Sequence, residues 1–203
     1  MGDAGDQGAR RDVVQASVHD ATRDDIWVFG YGSLMWRPGF AFRERRLARV
    51  RGYHRALCVY SHVHRGTPER PGLVLGLDRG GSCRGVAFRV AAADAAETIA
   101  YLRAREQVTM VYRERRVGLS LDDGRPVPAI TYVVDRAHAQ YAGRLDDEET
   151  LRIVLQGVGV SGVNPDYVVS TYAHLVEIGV RDPHLARLAA ALERVGARAR
   201  MTA

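Results

Sequence analysis

A glutamate on the apolar stripe of a helix is the first residue in this 203-residue chain whose type and position point to chemistry. From Asp94 onward, Ala95, Ile99, Leu102 and Glu106 recur at spacings of four, three and four, which puts them on one helix face. An ionised carboxylate facing a core is costly. Partial burial raises its pKa toward the range of a general base that must later return its proton as an acid. The plainer alternative is that the helix ends near Arg105 and Glu106 reaches solvent or pairs with an arginine.

A second feature is Gly30-Tyr-Gly-Ser33, directly after a short apolar run. Glycines let backbone approach a ligand closely and turn successive amides into one concavity, a nest for a carboxylate or a developing oxyanion. A plain turn is the competing reading. The segment is no dinucleotide fingerprint, because Met35 stands where the third glycine belongs, and no Gly-Lys-Ser/Thr follows to make a P-loop. Ser33 is outside a GxSxG elbow, so a serine nucleophile is unsupported. His62 and His64 fall on one side of an extended segment but lack a third ligand at suitable spacing, so no metal is expected. Tyr31, Tyr112 and Tyr167 read as core residues with a satisfied hydroxyl or as site residues, and their positions alone leave both open.

These side chains must be carried by elements that the pattern also predicts. Ile26 to Tyr31 reads as a buried strand entering a tight loop. Tyr53 to Tyr60 is a further strand. Gly72 to Asp78 and Arg84 to Val90, separated by Arg79-Gly-Gly-Ser82, read as a hairpin, and so do Arg115 to Leu121 and Val127 to Asp135 around Asp122-Asp-Gly124. A helical stripe of Leu151, Val154, Leu155 and Val158 follows an acidic first turn. Asn164-Pro165 and Asp182-Pro183 each place a capping side chain before a proline at the first helical position. Their stripes are Val168, Tyr172, Leu175 and Leu185, Leu188, Leu192, Val195. Hairpins first and helices mostly last predict an α+β fold, an antiparallel sheet closed as a small β-barrel with flanking helices. Residues 1–24 read as a flexible tail, and 25–199 as one domain.

The formal charge is +5, and all 29 basic residues are arginine. No run of five like charges occurs, and Glu44 and Glu114 interrupt the densest clusters, so a solvated mixed surface is expected and nucleic acid is not. No stretch has the apolar length of a membrane span, and no secretory signal is visible. Cys58 and Cys83 form no CxxC pair. A cytoplasmic chain without membrane partners is expected.

Five segments together resemble one family. They are Trp27-Val-Phe-Gly-Tyr-Gly-Ser-Leu-Met-Trp36, His64-Arg-Gly66 with Pro71-Gly72, Gly85-Val-Ala-Phe88, Tyr101-Leu-Arg-Ala-Arg-Glu106, and Ser161-Gly-Val-Asn164 with Tyr167. In this order and spacing the chain resembles ChaC-type γ-glutamyl cyclotransferases over roughly residues 26–190. The resemblance implies a small barrel, no metal and no organic cofactor. It implies a small-molecule substrate, glutathione or a related γ-glutamyl peptide, cyclised to 5-oxoproline. It further implies that Tyr31, Gly32, Ser33 and Leu34 hold the γ-glutamyl group and that Glu106 is catalytic. Tyr112 and Tyr167 are candidates for oxyanion donor, and Arg55, Arg65 and Arg113 for a grip on the leaving group's carboxylate. Related cyclotransferases that take γ-glutamyl amines or free γ-glutamyl amino acids are the first alternative, and a non-catalytic small-molecule binding module is the second.

Overall fold

The computed structural model describes residues 24–201. The tail expected over 1–24 lies outside them except for Asp24. Five strands, β1 (Ile26–Gly30), β2 (Glu44–Ser61), β3 (Gly72–Val90), β4 (Tyr112–Leu121) and β5 (Pro126–Val134), close into a barrel in the order β1-β3-β2-β4-β5. All ladders are antiparallel except the one that closes the barrel, where β1 runs parallel to β5 with Val28 opposite Ile130. The α+β barrel expected from the sequence is the one observed.

One predicted hairpin is absent. Arg79-Gly-Gly-Ser82 is a bend inside the single 19-residue strand β3, which pairs with β2 from Glu44 opposite Arg89 to Ser61 opposite Gly72. Gly80 and Gly81 have positive φ, as a turn would require, but Gly52 on β2 faces them with φ of 83°. The register shifts between Arg51 and Tyr53, so both strands bend together at a glycine bulge and go on. The connection between β2 and β3 is the loop 62–71. The second hairpin forms as expected, β4 to β5. Gly124 supplies the positive φ of its turn and its amide bonds to the carbonyl of Leu121.

Helix α1 (Ala95–Glu106) buries Ala95, Thr98 and Leu102, and Leu102 lies among Val28, Leu34, Val90 and Tyr132. Helices α2 (Asp147–Gln156), α3 (Asn164–Glu177) and α4 (Pro183–Met201) cover the main core, where Val154, Val168, Leu175, Leu185, Leu188 and Leu192 meet Phe29, Leu73, Leu75, Val86 and Phe88. In α2 the buried pair is Ile153 and Val154, while Leu155 and Val158 are exposed, contrary to the predicted stripe. The reason is that α2 stops at Gln156 and Val158 already belongs to a small ladder, β6 (Val158–Gly159) with β7 (Gly162–Val163). Val195, expected in the α4 stripe, is also exposed, beyond the reach of the core near that helix's end. Asp182 caps α4, accepting from the amide of Leu185 at 3.1 Å. Asn164 does not cap α3, and its side chain is committed elsewhere, as described next.

Candidate active site

Strand β3 outruns β1. Its residues 86–90 pair with β1, whereas its first half, from Gly72, pairs only with β2. This leaves a free strand edge whose buried amides and carbonyls need partners. Side chains supply them. Asn164, fully buried, accepts from the amide of Leu73 at 2.6 Å and donates to its carbonyl at 2.8 Å. At Leu75 the amide donates to the Tyr167 hydroxyl at 3.1 Å, and the carbonyl accepts from the Tyr112 hydroxyl at 2.7 Å. The gap in the barrel wall is therefore lined by polar groups of α3 and β4.

The chain leaving β1 turns into this gap. Ser33–Met35 make one turn of 3-10 helix, closed by Met35 N donating to Gly32 O at 2.9 Å and by Trp36 and Arg37 donating to Ser33 O. The amides of Gly32, Ser33 and Leu34 stand outside these bonds, the arrangement of an anion nest. The Leu34 side chain is buried and anchors the turn beside α1. Arg55, 4% exposed, donates to the carbonyls of Tyr31 and Arg84 and pairs with Asp182 at 3.3 Å.

Glu106 is the last residue of α1, and its side chain is 18% exposed. Features of both sequence readings meet in it. The carboxyl is partly buried, and it pairs with its neighbour Arg105 at 3.2 Å. Burial pushes its pKa up and the Arg105 charge opposes the rise. Its charge is felt at the hydroxyls of Tyr31, Tyr112, Tyr132 and Tyr167, so the carboxyl lies within electrostatic reach of four tyrosines. Burial, reinforced by that charge, holds Tyr31 and Tyr112 well above an ordinary phenol, and burial pushes Tyr167 up to about 12. All three keep their protons at neutral pH. Tyr112 spends its proton on Leu75 O, whereas Tyr167 accepts from Leu75 N and has the Thr171 hydroxyl, one helical turn on, as a second neighbour.

Arg65 reaches the site through a junction of glycines. A Cβ on Gly66 would collide with the backbone of Gly72 and Ser61, one on Gly72 with Arg65 O, and one on Gly157 with Arg65 O and Asn164 Cβ. Loop 62–71 is thus pressed against the β6–β7 turn, with Val160 N and Ser161 N donating to Val63 O and His64 O. Arg65 donates to Val163 O at 3.0 Å and lies 5.4 Å over the Tyr167 ring. His64 hydrogen-bonds Ser161 at 2.9 Å, and His62 stacks on Tyr60. No cluster of metal-ligating side chains occurs among the described residues.

Two candidates are not available for a ligand. Arg113 is turned to Asp135, and Arg55 is consumed in holding Tyr31 and Asp182. Sequence reasoning missed Asn164 as a strand-edge clamp and gave no role to Arg105, whose guanidinium meets Ser33, Arg37 and Tyr101 as well as Glu106. The signal for Arg105 was its place beside Glu106 in the last helical turn.

The family model described as ChaC-like protein matches residues 26–195, the span that holds the barrel, the turn and Glu106. The chain belongs to the ChaC-like family. The glutathione-specific γ-glutamylcyclotransferase of Escherichia coli K12 is 34% identical to this ChaC-like chain over 170 residues, 84% of this chain and 74% of that protein. Human glutathione-specific γ-glutamylcyclotransferase 1 is 33% identical over 176 residues, 84% and 79% respectively. The crystal structure of the yeast γ-glutamyl cyclotransferase specific to glutathione shares the ChaC-like fold, with a TM-score of 0.76 at 22% identity over 85% of this chain and 97% of that one.

Proposed function

We propose that this protein converts glutathione to 5-oxoproline and cysteinylglycine, with Glu106 as the acid/base residue. The observation that carries the reading is the convergence of one raised, part-buried carboxyl with the Tyr31–Leu34 turn at a gap in the barrel wall. Relatives named for this activity support the choice of substrate.

The nucleophile and electrophile belong to one molecule, so the protein's task is to fold the substrate and relay protons from the attacking nitrogen to the leaving one. The amides of Gly32, Ser33 and Leu34 hold the substrate α-carboxylate and curl the glutamyl chain. Glu106, ionised, takes a proton from the α-ammonium. The freed amine attacks the γ-carbonyl carbon and forms the ring C–N bond, placing negative charge on the carbonyl oxygen. Tyr167, whose proton is not spent on the strand edge, is the donor to that oxyanion, and Tyr112 holds the strand edge beside it. Glu106 returns its proton to the amide nitrogen as the oxyanion re-forms the carbonyl and the old C–N bond breaks. It then takes the second proton from the ring nitrogen and passes it to the departing amine, so that the neutral lactam and cysteinylglycine with its ammonium leave. Arg65, with one of its donors used on Val163 O, receives the terminal carboxylate of the leaving peptide. Tyr31 packs under the turn. The reading places the protein in a reducing cytoplasm, where Cys58 and Cys83, both buried and free, stay thiols.

The test is release of 5-oxoproline from reduced glutathione by wild type and Glu106→Gln, with γ-glutamyl-alanine as comparison. Loss of activity in the variant is expected. Turnover of γ-glutamyl-alanine alone would move the substrate, and equal activity in wild type and variant would remove Glu106 from the chemistry.

A further inference from the structure

Arg105 makes more contacts at the site than any reading of it as a surface charge requires. Its Nη2 donates to Ser33 Oγ at 2.9 Å, and its Nη1 to Arg37 O at 2.7 Å, to Tyr101 Oη at 3.0 Å and, more weakly, to Pro38 O at 3.4 Å. Its Nε lies 3.2 Å from Glu106 Oε1. The side chain is only 25% exposed. One planar group therefore touches the 3-10 turn, the chain that leaves it and the carboxyl at the end of α1. Tyr101 completes the brace from the preceding turn of the same helix. A Cβ on Gly39 would collide with the Tyr101 hydroxyl, so the 37–39 segment is seated tightly on this helix.

We propose that Arg105 is the positioning residue of the site, a brace that fixes the Ser33 turn and the Glu106 carboxyl in one arrangement so that substrate grip and proton transfer are set together. The inference rests on the acid/base role given to Glu106 above. Guanidinium geometry matters, because a fork with several fixed donors spans three segments at once, whereas an ammonium is a point charge on a flexible stem. The groups that face Glu106 are Arg105 from its own helix, Tyr31 from the turn, Tyr112 from β4, Tyr132 from β5 and Tyr167 from α3. Arg105 is the cation set against the carboxyl, and the tyrosines are neutral. It lends charge as well as rigidity.

The two contributions separate in two variants. Arg105→Gln removes the charge, so the acid limb of the pH profile of kcat/KM moves to higher pH. Arg105→Lys keeps the charge and loses the fork, so the limb stays near its wild-type place while KM rises on the order of tenfold, the effect of about 1.4 kcal/mol. The companion measurement needs no turnover. It is a carbon-13 carboxyl NMR titration of the full chain, with the Glu106 signal assigned by its loss in Glu106→Gln. The Glu106 pKa is expected to rise in Arg105→Gln and to stay near wild type in Arg105→Lys. A Glu106 titration unmoved in Arg105→Gln, or a wild-type KM in Arg105→Lys, overturns the proposal. If wild type releases no 5-oxoproline, the proposed reaction falls, and the titration still decides whether Arg105 is coupled to Glu106.

Discussion

Replacing Asn164 by alanine removes no side chain that touches the reacting atoms, yet it should be among the most damaging single changes in the molecule. The amide satisfies both polar groups of Leu73 on an edge that no strand pairs, and it has no exposure to water. Truncation leaves a buried N–H and a buried C=O without partners, each costing about 1–3 kcal/mol. Taking about 4 kcal/mol in total, and about 2–4 °C per kcal/mol for a chain of this length, the melting temperature should fall by about 8–16 °C. Differential scanning calorimetry, with urea unfolding at fixed temperature as a check on m, reads this directly. Asn164→Asp sharpens the test. Its carboxylate can still accept from Leu73 N–H but has no proton for Leu73 O, so burial beside that carbonyl raises its folded pKa above the ordinary value of about 3.9. A group with a raised folded pKa stabilises below its unfolded pKa, and that contribution is lost as pH rises through the folded value. The deficit of Asn164→Asp relative to wild type should therefore shrink as pH is lowered from about 8 toward 4, with no such trend for Asn164→Ala. A melting temperature for Asn164→Ala within about 3 °C of wild type, roughly the effect of 1 kcal/mol, would refute the clamp.

Four further outcomes follow from the site. Tyr167→Phe should lower kcat by roughly 100- to 1000-fold, the ordinary loss for an oxyanion donor. Both variants orphan a polar group of Leu75, its N–H in Tyr167→Phe and its carbonyl in Tyr112→Phe, so each should cost about 1–3 kcal/mol in urea unfolding. A large kcat loss in Tyr112→Phe with little in Tyr167→Phe would make Tyr112 the donor. Because burial raises the Glu106 pKa, Glu106→Gln should be more stable than wild type at pH 8 and converge on it as pH falls below the unfolded glutamate pKa of about 4.3, where the carboxyl becomes protonated in both folded and unfolded states; calorimetry across pH checks the sign. Gly72→Ala drives a methyl into Arg65 O and Asn164 Oδ1, which should cost about 3 kcal/mol or more in urea unfolding and raise KM with it.

Much of this architecture is written in local pattern. Alternating apolar runs place the strands, Asp122-Asp-Gly124 ends β4 where the turn residues say it must, and Asp182-Pro183 starts α4. Reading failed where a residue's partner lies far along the chain. Gly80-Gly81 has the composition of a turn, and only Gly52 across the ladder makes it a bend. Asn164 has every mark of a cap, but Leu73, 91 residues away, claims both of its polar atoms. The site divides in the same way. Glu106 stands out because its type conflicts with its position in a stripe, whereas Arg105 violates nothing in the sequence, and beyond its place next to Glu106 its role shows through contacts to Ser33 and Arg37.

The glycine junction sets what can be exchanged between such proteins. Loop 62–71 and the segment 157–164 lie far apart in the sequence, yet they meet backbone to backbone at Gly157 and Gly159, where a Cβ would strike Arg65 O, Val63 O and His64 O, with no room for a side chain between them. Neither can drift in length or path while the other stays fixed. A chimera that imports one from a homologue without the other should misfit, and recombination would keep them as one inherited unit split across two stretches of gene.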